Sequence, residues 1–366
     1  MFLLQSKSRY QFREDRLGPV FEKNIRILSQ TNEGIVADPD TLAYYFEKQS
    51  HFNIRHLPSV MVKTLIRKKV LDPYRLFGAF LIAIDGTGLF TFNKRHCEHC
   101  LTKKLSNGTV IYQHQVLEAK LVTSNGFAFS IASLFVDNPN EFVDKQDCEL
   151  KAFYRLAPLI KEYFPRTPLC FLLDGLYNGN PIFNICEEND WKFIMNFKEG
   201  SMPALYKEAN TIVDLSTSNR RYEKVNFTTN PSKAIFCEKT ENEDTTKFEY
   251  LTNIKTNYDT VEAIINKGGR LRWKIENQGF KSQKKEGFEL EHVYSHNYNA
   301  MKNFYCILQI THIIYQLVVK GSLLGDVYKV MGSLRNFVRR LTEHFRMLEI
   351  NPDIIQSQYQ IRFNTS

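Results

Sequence analysis

Phe80-Leu81-Ile82-Ala83-Ile84-Asp85-Gly86-Thr87-Gly88 is an apolar run of strand length closed by an acid and two glycines. The pattern recurs as Leu169-Cys170-Phe171-Leu172-Leu173-Asp174-Gly175. A short apolar run that ends in Asp-Gly reads as a buried strand whose carboxylate emerges at the edge of a sheet. Asp-Gly is also an ordinary strand-ending turn, so either acid alone says little. A third acid stands in a different setting. Arg270-Leu271-Arg272-Trp273-Lys274-Ile275-Glu276-Asn277 reads as helix. The three acids are spaced 89 and 102 residues apart. Two strand ends and one helical glutamate can converge on a pair of divalent ions, a geometry suited to in-line attack on a phosphodiester. Such a donor set offers oxygen alone, which hard cations such as Mg²⁺ prefer, and it needs no general-base histidine.

Composition permits this reading without demanding it. The chain has 366 residues, 43% hydrophobic, enough for a full core with one or two smaller regions. Its formal net charge is +8, a bias that favours a polyanionic partner through counterion release, although many basic proteins never touch nucleic acid. Seven cysteines and a signal-free start point to a reducing cytosol. No apolar run reaches the roughly 18–20 residues of a membrane span; Phe304 to Leu324 is interrupted by Gln309, His312, Gln316 and Lys320 and reads as a buried helix. Met1-Phe2-Leu3-Leu4 is too short for a signal core and reads as the middle of a helix shortened at its front.

Five regions follow. Residues 1–75 read as helical and basic, with helix starts near Pro39 and Leu57. Residues 76–199 hold a first strand ending at Asp85, a second over Thr109–Val122 and a third over Phe127–Phe135, with Asn125-Gly126 as the hairpin turn between the last two. A helix from about Asp147 to Tyr163 is next, with Pro158 placed to kink or shorten it. Strands closing at Asp174 and over Lys192–Phe197 complete this part. Residues 200–251 read as a β-rich insertion whose charged run Glu238–Lys247 is a loop. Residues 252–300 carry the Glu276 helix. Residues 301–366 are helical, with an amphipathic stretch over Asp326–Leu348. The fold class is α/β, a mixed sheet covered by helices.

The segments Ala83-Ile84-Asp85-Gly86-Thr87, Leu172-Leu173-Asp174-Gly175-Leu176-Tyr177 and Arg272-Trp273-Lys274-Ile275-Glu276-Asn277-Gln278-Gly279-Phe280 resemble the DDE transposases of bacterial insertion sequences, and most closely the group related to the insertion sequence four family. His96-Cys97-Glu98-His99-Cys100-Leu101, Lys145-Gln146-Asp147-Cys148-Glu149 and Phe193-Ile194-Met195-Asn196-Phe197-Lys198 support it. The resemblance covers most of residues 55–310. It implies a ribonuclease-H-like core, catalytic and metal-binding roles for Asp85, Asp174 and Glu276, and two Mg²⁺ ions, for which Mn²⁺ can substitute. It also implies cleavage and joining of double-stranded DNA at insertion-sequence ends, an end-recognition region within residues 1–75, a homodimer in the DNA complex, and a bacterial cytoplasmic location without a membrane. A related nuclease that cuts without joining, or a decayed DNA-binding protein on the same fold, are the alternatives.

Several residues carry two readings. Arg272, one turn before Glu276, would bind a DNA phosphate beside the metals or simply pair with Glu276. Relatives place a Tyr three residues before that Arg and a Lys seven after the Glu; here Gly269 and Gln283 stand there, with Lys284 next. On an α-helix of about 100° per residue, Gln283 nearly overlies Glu276 and Lys284 lies about 80° around. Lys198 is a DNA-phosphate contact or a solvated strand-end lysine. Asp147 reads as a helix cap and Glu149 as a first-turn acid or accessory metal ligand. Cys97-x-x-Cys100 with His96 and His99 allows a structural Zn²⁺, with Cys148, His292 or His296 completing it, against reduced thiols packed near the active site. Trp191 and Trp273 read as core.

Overall fold

The computed structural model describes residues 1–30, 36–214, 222–226, 233–241, 244–322, 324–356 and 362–363. The chain opens with helices α1 (Arg9–Asp15), α2 (Pro19–Ser29), α3 (Pro39–Lys48) and α4 (Leu57–Arg67). Strands β1 (Phe80–Phe92), β2 (Leu101–Lys104), β3 (Val110–Val122) and β4 (Ala128–Val136) follow, then α5 (Glu149–Tyr163), β5 (Leu169–Leu173), α6 (Asn180–Glu188), β6 (Lys192–Asn196) and α7 (Pro203–Asp214). Strands β7 (Tyr222–Asn226), β8 (Lys233–Glu241) and β9 (Asp244–Thr252) lead to α8 (Tyr258–Lys267). A 3₁₀ turn (Gly269–Trp273), a π-helical turn (Ile275–Phe280) and α9 (Lys281–Lys285) come next. Helices α10 (Tyr298–Lys320), α11 (Gly325–Met331), α12 (Leu334–Met347) and α13 (Asp353–Gln356) close the chain.

The nine strands among the described residues join one sheet, in the order β2-β3-β1-β5-β6-β9-β8-β7, with β4 sharing the outer edge of β3. β1 runs antiparallel to β3 and parallel to β5, which is parallel to β6. The parallel centre explains why two strands read as unbroken apolar runs rather than alternations. Both faces are covered, so every position needs an apolar side chain. Phe80, Ile82, Ile84, Leu169, Phe171 and Leu173 pack on one side with Phe153, Leu156 and Ile160 of α5. Leu81, Ala83, Cys170 and Leu172 pack on the other with Ile264 and Ile265 of α8 and Phe304 and Leu308 of α10. Each fully buried Leu, Ile or Phe contributes about 1.5–3 kcal/mol of transfer free energy.

The structure corrects several sequence expectations. β1 does not end at Asp85; it continues through Gly86 and Gly88 to Phe92, paired to β3 throughout apart from a register shift between Gly88 and Phe90. Asp85-Gly86 is therefore mid-strand and not a turn. Residues 200–251 hold β7–β9 ahead of the Glu276 segment, but these strands are continuous with the main sheet. The segment begins with α7, and β9 pairs antiparallel with β6, so β7–β9 extend the sheet. Much of the run read as a charged loop belongs to the β8–β9 hairpin, whose Glu241 pairs with Asp244. α5 passes through Pro158 unbroken. Asp326–Leu348 is two helices, α11 and α12, separated at Gly332, whose φ of 72° is left-handed. Asn125-Gly126 forms the expected hairpin turn, with Gly126 at φ 91°.

The N-terminal helices do not stand apart from the C-terminal ones. Asn24 in α2 donates to the carbonyls of Phe345 and Leu348 and accepts from the Ile350 amide. Asn303 in α10 donates to the carbonyls of Phe46 and Gln49, and Phe21 packs edge-on against Phe345. Helices α2 and α3 thus pack against α12 and α10. No helix among the described residues is long and apolar enough to cross a membrane. Cys97, Cys100, Cys148, Cys170, Cys186 and Cys306 are free thiols.

Candidate active site

Alternation along β1 decides where each group points. Asp85 shares the face of Leu81 and Ala83, toward the segment after α8, while Gly86 faces α5. Asp85 Oδ2 lies 3.1 Å from Arg272 Nη1, and Arg272 Nη2 lies 3.2 Å from Glu276 Oε1. One guanidinium therefore spans the strand acid and the helical acid. Arg272 is buried, its ring-side face stacked 4.7 Å over Trp273. Its pairing reaches beyond its own helix to the strand acid. Trp273 is 52% exposed and does not belong to the core, unlike Trp191.

Asp174 follows β5 directly and caps the short turn Gly175–Tyr177, its Oδ1 accepting from the Leu176 amide at 2.9 Å. Glu149 is the first residue of α5, and its carboxylate rests against the bare backbone of Gly86; a Cβ at that position would collide with it. The glycine after Asp85 thus opens the strand surface to a second acid. Asp147 is not the helix cap; Cys148 is, and Asp147 pairs with Arg155 at 2.5 Å.

These acids influence one another electrostatically. Burial, partly offset by Arg272, with Glu276, Glu149 and Asp174 adding repulsion, pushes Asp85 up to about 7. Burial and Asp174 raise Glu149. The buried Tyr177 phenol, which feels Glu149, Asp174 and Asp85, has no hydrogen-bond partner among the described residues. Asp85 and Glu276 thus share one guanidinium, Asp174 and Glu149 add negative charge near Asp85, and a buried hydroxyl beside them is unsatisfied among the described residues. A cluster of hard oxygen donors short of positive charge fits divalent ions of the Mg²⁺ type.

Glu276 sits in the π-helical turn, which changes the facing of the residues that follow. A π turn takes one residue more than an α turn, so two turns beyond Glu276 fall at the eighth position and not the seventh. Gln283 is accordingly turned inward, fully buried, donating 2.7 Å to Gln309 of α10. Lys284 takes the outward face and pairs with Glu291 at 2.8 Å. Gln309 also accepts from the buried Lys120 at 2.8 Å, and the Lys120 stem packs under Gly279. That polar floor supports the Glu276 turn from below. At Gly269 a Cβ would collide with the buried ring of Tyr250 from β9. Lys198 is exposed beyond β6.

A second cluster lies elsewhere. His96, Cys97, Cys100 and His114 bring four donor atoms within 4.8 Å of one another, a group placed to bind a metal. The expected completing residues are not those that complete it. Cys148 is exposed at the start of α5, His292 packs on Tyr294, and His296 lies 6.0 Å from the His96 ring without joining the group. His99 instead contacts the Asn138 carbonyl through Nδ1 at 2.8 Å. His114, on β3, escaped the sequence reading; its only signal was a polar residue on the inner side of a strand.

Neither a family model nor a curated protein matches the chain.

The Gly86 cradle leads to a sharp expectation. In Gly86→Ala the methyl must displace the Glu149 carboxylate, which is the end of a flexible side chain. Folding should change by less than about 1 kcal/mol, while divalent-ion affinity, read by calorimetry, should fall about 10–100-fold. Unchanged affinity would remove Glu149 from the ion-binding set.

Proposed function

We propose that this chain is a DDE-type DNA transposase with a ribonuclease-H-like core, acting on the ends of its own insertion sequence in the bacterial cytoplasm. The observation that carries the reading is the gathering of Asp85, Asp174 and Glu276 from β1, the end of β5 and the π turn, with Glu149 beside them. The order β4-β3-β1-β5-β6, antiparallel then parallel, supports the core assignment.

In this reading Asp85, Asp174 and Glu276 would hold two Mg²⁺ or Mn²⁺ ions, with Glu149 as an accessory to the site. Bound there, the ions would supply a lowered pKa for the attacking water or DNA 3′-hydroxyl and neutralise the leaving oxygen. Arg272 would hold Asp85 and Glu276 in register before loading and turn to a DNA phosphate once the ions take over its partners. Lys284 and Lys198 would grip the DNA backbone. Two copies would pair two DNA ends, giving a homodimer on DNA.

The deciding experiment incubates the chain and Mg²⁺ with a supercoiled plasmid carrying the DNA that flanks its gene. Excised or joined products support the proposal. Cutting without joining makes the protein a nuclease, and end binding without cutting makes it a decayed DNA-binding protein. An absence of all three removes the reading.

Arg272 and Lys284 can be separated by salt. Lys284→Ala should make the slope of log affinity for cleaved ends against log salt shallower by about one unit, with stability little changed. Arg272→Ala should do the same and also cost about 1.5–3 kcal/mol in the ion-free protein, because it strips charged hydrogen bonds from a buried carboxylate. An unchanged slope in Lys284→Ala would pass the role to Lys281 or Lys198.

A further inference from the structure

The second donor cluster is independent of the acids. Cys97 Sγ lies 3.6 Å from Cys100 Sγ and 3.4 Å from His114 Nε2. Cys100 Sγ lies 3.2 Å from His96 Nδ1 and 3.7 Å from His114 Nε2. A tetrahedral Zn²⁺ with bonds of about 2.3 Å to sulfur and about 2.0–2.1 Å to nitrogen has ligand–ligand edges of about 3.4–3.8 Å. Three of these four edges fall in that range and the Cys100–His96 edge, at 3.2 Å, lies just below it, whereas a disulfide would need about 2.05 Å between the sulfurs. Two thiols and two imidazoles are soft and borderline donors, a set that selects zinc over Mg²⁺ or Ca²⁺.

The surroundings are those of a metal histidine. His114 and Cys100 are fully buried. His114 Nδ1 faces Asp137 Oδ1 at 3.7 Å, and both atoms otherwise lack a hydrogen-bond partner among the described residues. With Nε2 given to a metal, Nδ1 must carry the proton and points it at that carboxylate. Asp137 is held in turn by Lys302 at 2.8 Å and by the Tyr298 hydroxyl, both from α10. Tyr298 also stacks on His99, 3.9 Å between ring centres, and Asn138 donates to the Cys100 carbonyl at 3.0 Å.

We propose that His96, Cys97, Cys100 and His114 form a structural zinc site that clamps the β1–β2 connection onto β3. All four positions come from the protein, so the ion has no open position for substrate. His114 pairs with Phe90, five residues along β1 from Asp85, which puts the ion about 16 Å from the acids. The clamp closes the outer half of a long strand just beyond its register shift and, through Asp137, ties it to α10.

The test uses the full chain purified without nickel resin or chelator. Elemental analysis should find about one zinc per chain. Replacement by Co²⁺ should give thiolate-to-cobalt charge-transfer absorption and tetrahedral visible bands. Cys97→Ser and His114→Asn should each drop zinc from about one equivalent to near none. Glu276→Gln, which alters only the acidic site, should keep the full zinc content, so a failed transposase reading leaves this result standing. If the substituted chains do not fold, the unsubstituted protein decides alone. Zinc far below one equivalent, together with no charge-transfer band when Co²⁺ is added to the fully reduced chain, overturns the proposal.

Discussion

Asp85→Asn, Asp174→Asn and Glu276→Gln should each abolish DNA cleavage and joining, by at least about 10³-fold, while end binding persists. The magnitude follows from the role. A metal at a phosphoryl centre stabilises the transition state by several kcal/mol, and about 1.4 kcal/mol is a tenfold rate change. A carboxamide keeps the shape of the acid but not the charge that holds the ion. Asp85→Asn has a further signature. Burial already favours the neutral form of Asp85, held at about 7, so the amide should leave the ion-free protein as stable as before or more so. Loss of activity without loss of thermal stability separates this outcome from misfolding. Glu149→Gln should fall less, about 10–100-fold, if it supports the site without binding an ion directly. Near-normal strand transfer by any of the first three variants would end the two-metal proposal at that position.

What the sequence revealed of this arrangement, and what it concealed, has physical causes. Two strands buried on both faces announce themselves as apolar runs, and so β1 and β5 were visible. The end of β1 was not. Glycine normally stops a strand, but Gly86 stays in the ladder because its missing side chain makes room for Glu149, a contact between residues 63 positions apart that no local pattern encodes. The fusion of β7–β9 with the main sheet was hidden for the same reason. Short polar strands show no clear face until their partner, here β6, is known.

The helical acid shows a subtler limit. Wheel arithmetic at 3.6 residues per turn set Lys284 off the face of Glu276, and the arithmetic failed because the turn is π-helical. The cause is tertiary. Gln283 is drawn inward to Gln309, and Gly279 admits Lys120 beneath the turn, so the helix takes up one extra residue. His114 was unreadable on its own, since one histidine inside a strand has no signature until the Cys97–Cys100 loop folds over it.

The raised pKa of Asp85 makes ion binding a function of pH, and the sign can be worked out. In the unfolded chain an aspartate loses its proton near 3.9; in the folded, ion-free chain Asp85 keeps it to about 7. Between those values the folded state binds more protons, so Asp85 lowers stability as pH rises through that window. Divalent ions need the carboxylate and must displace the proton below about pH 7, which weakens their apparent affinity by up to about tenfold per unit. Stabilisation by Mg²⁺ or Mn²⁺ should therefore be larger at about pH 8 than at about pH 6 and should level off above. At a fixed ion concentration well above the dissociation constant, each tenfold gain in affinity adds about 1.4 kcal/mol to the folded state. Thermal melts with and without Mn²⁺ at the two pH values measure this directly. Asp85→Asn should show a small ion-induced shift that is the same at both. An equal shift at both pH values in the unsubstituted protein would mean that Asp85 is not a ligand, and that the ion sits nearer Asp174 and Glu149.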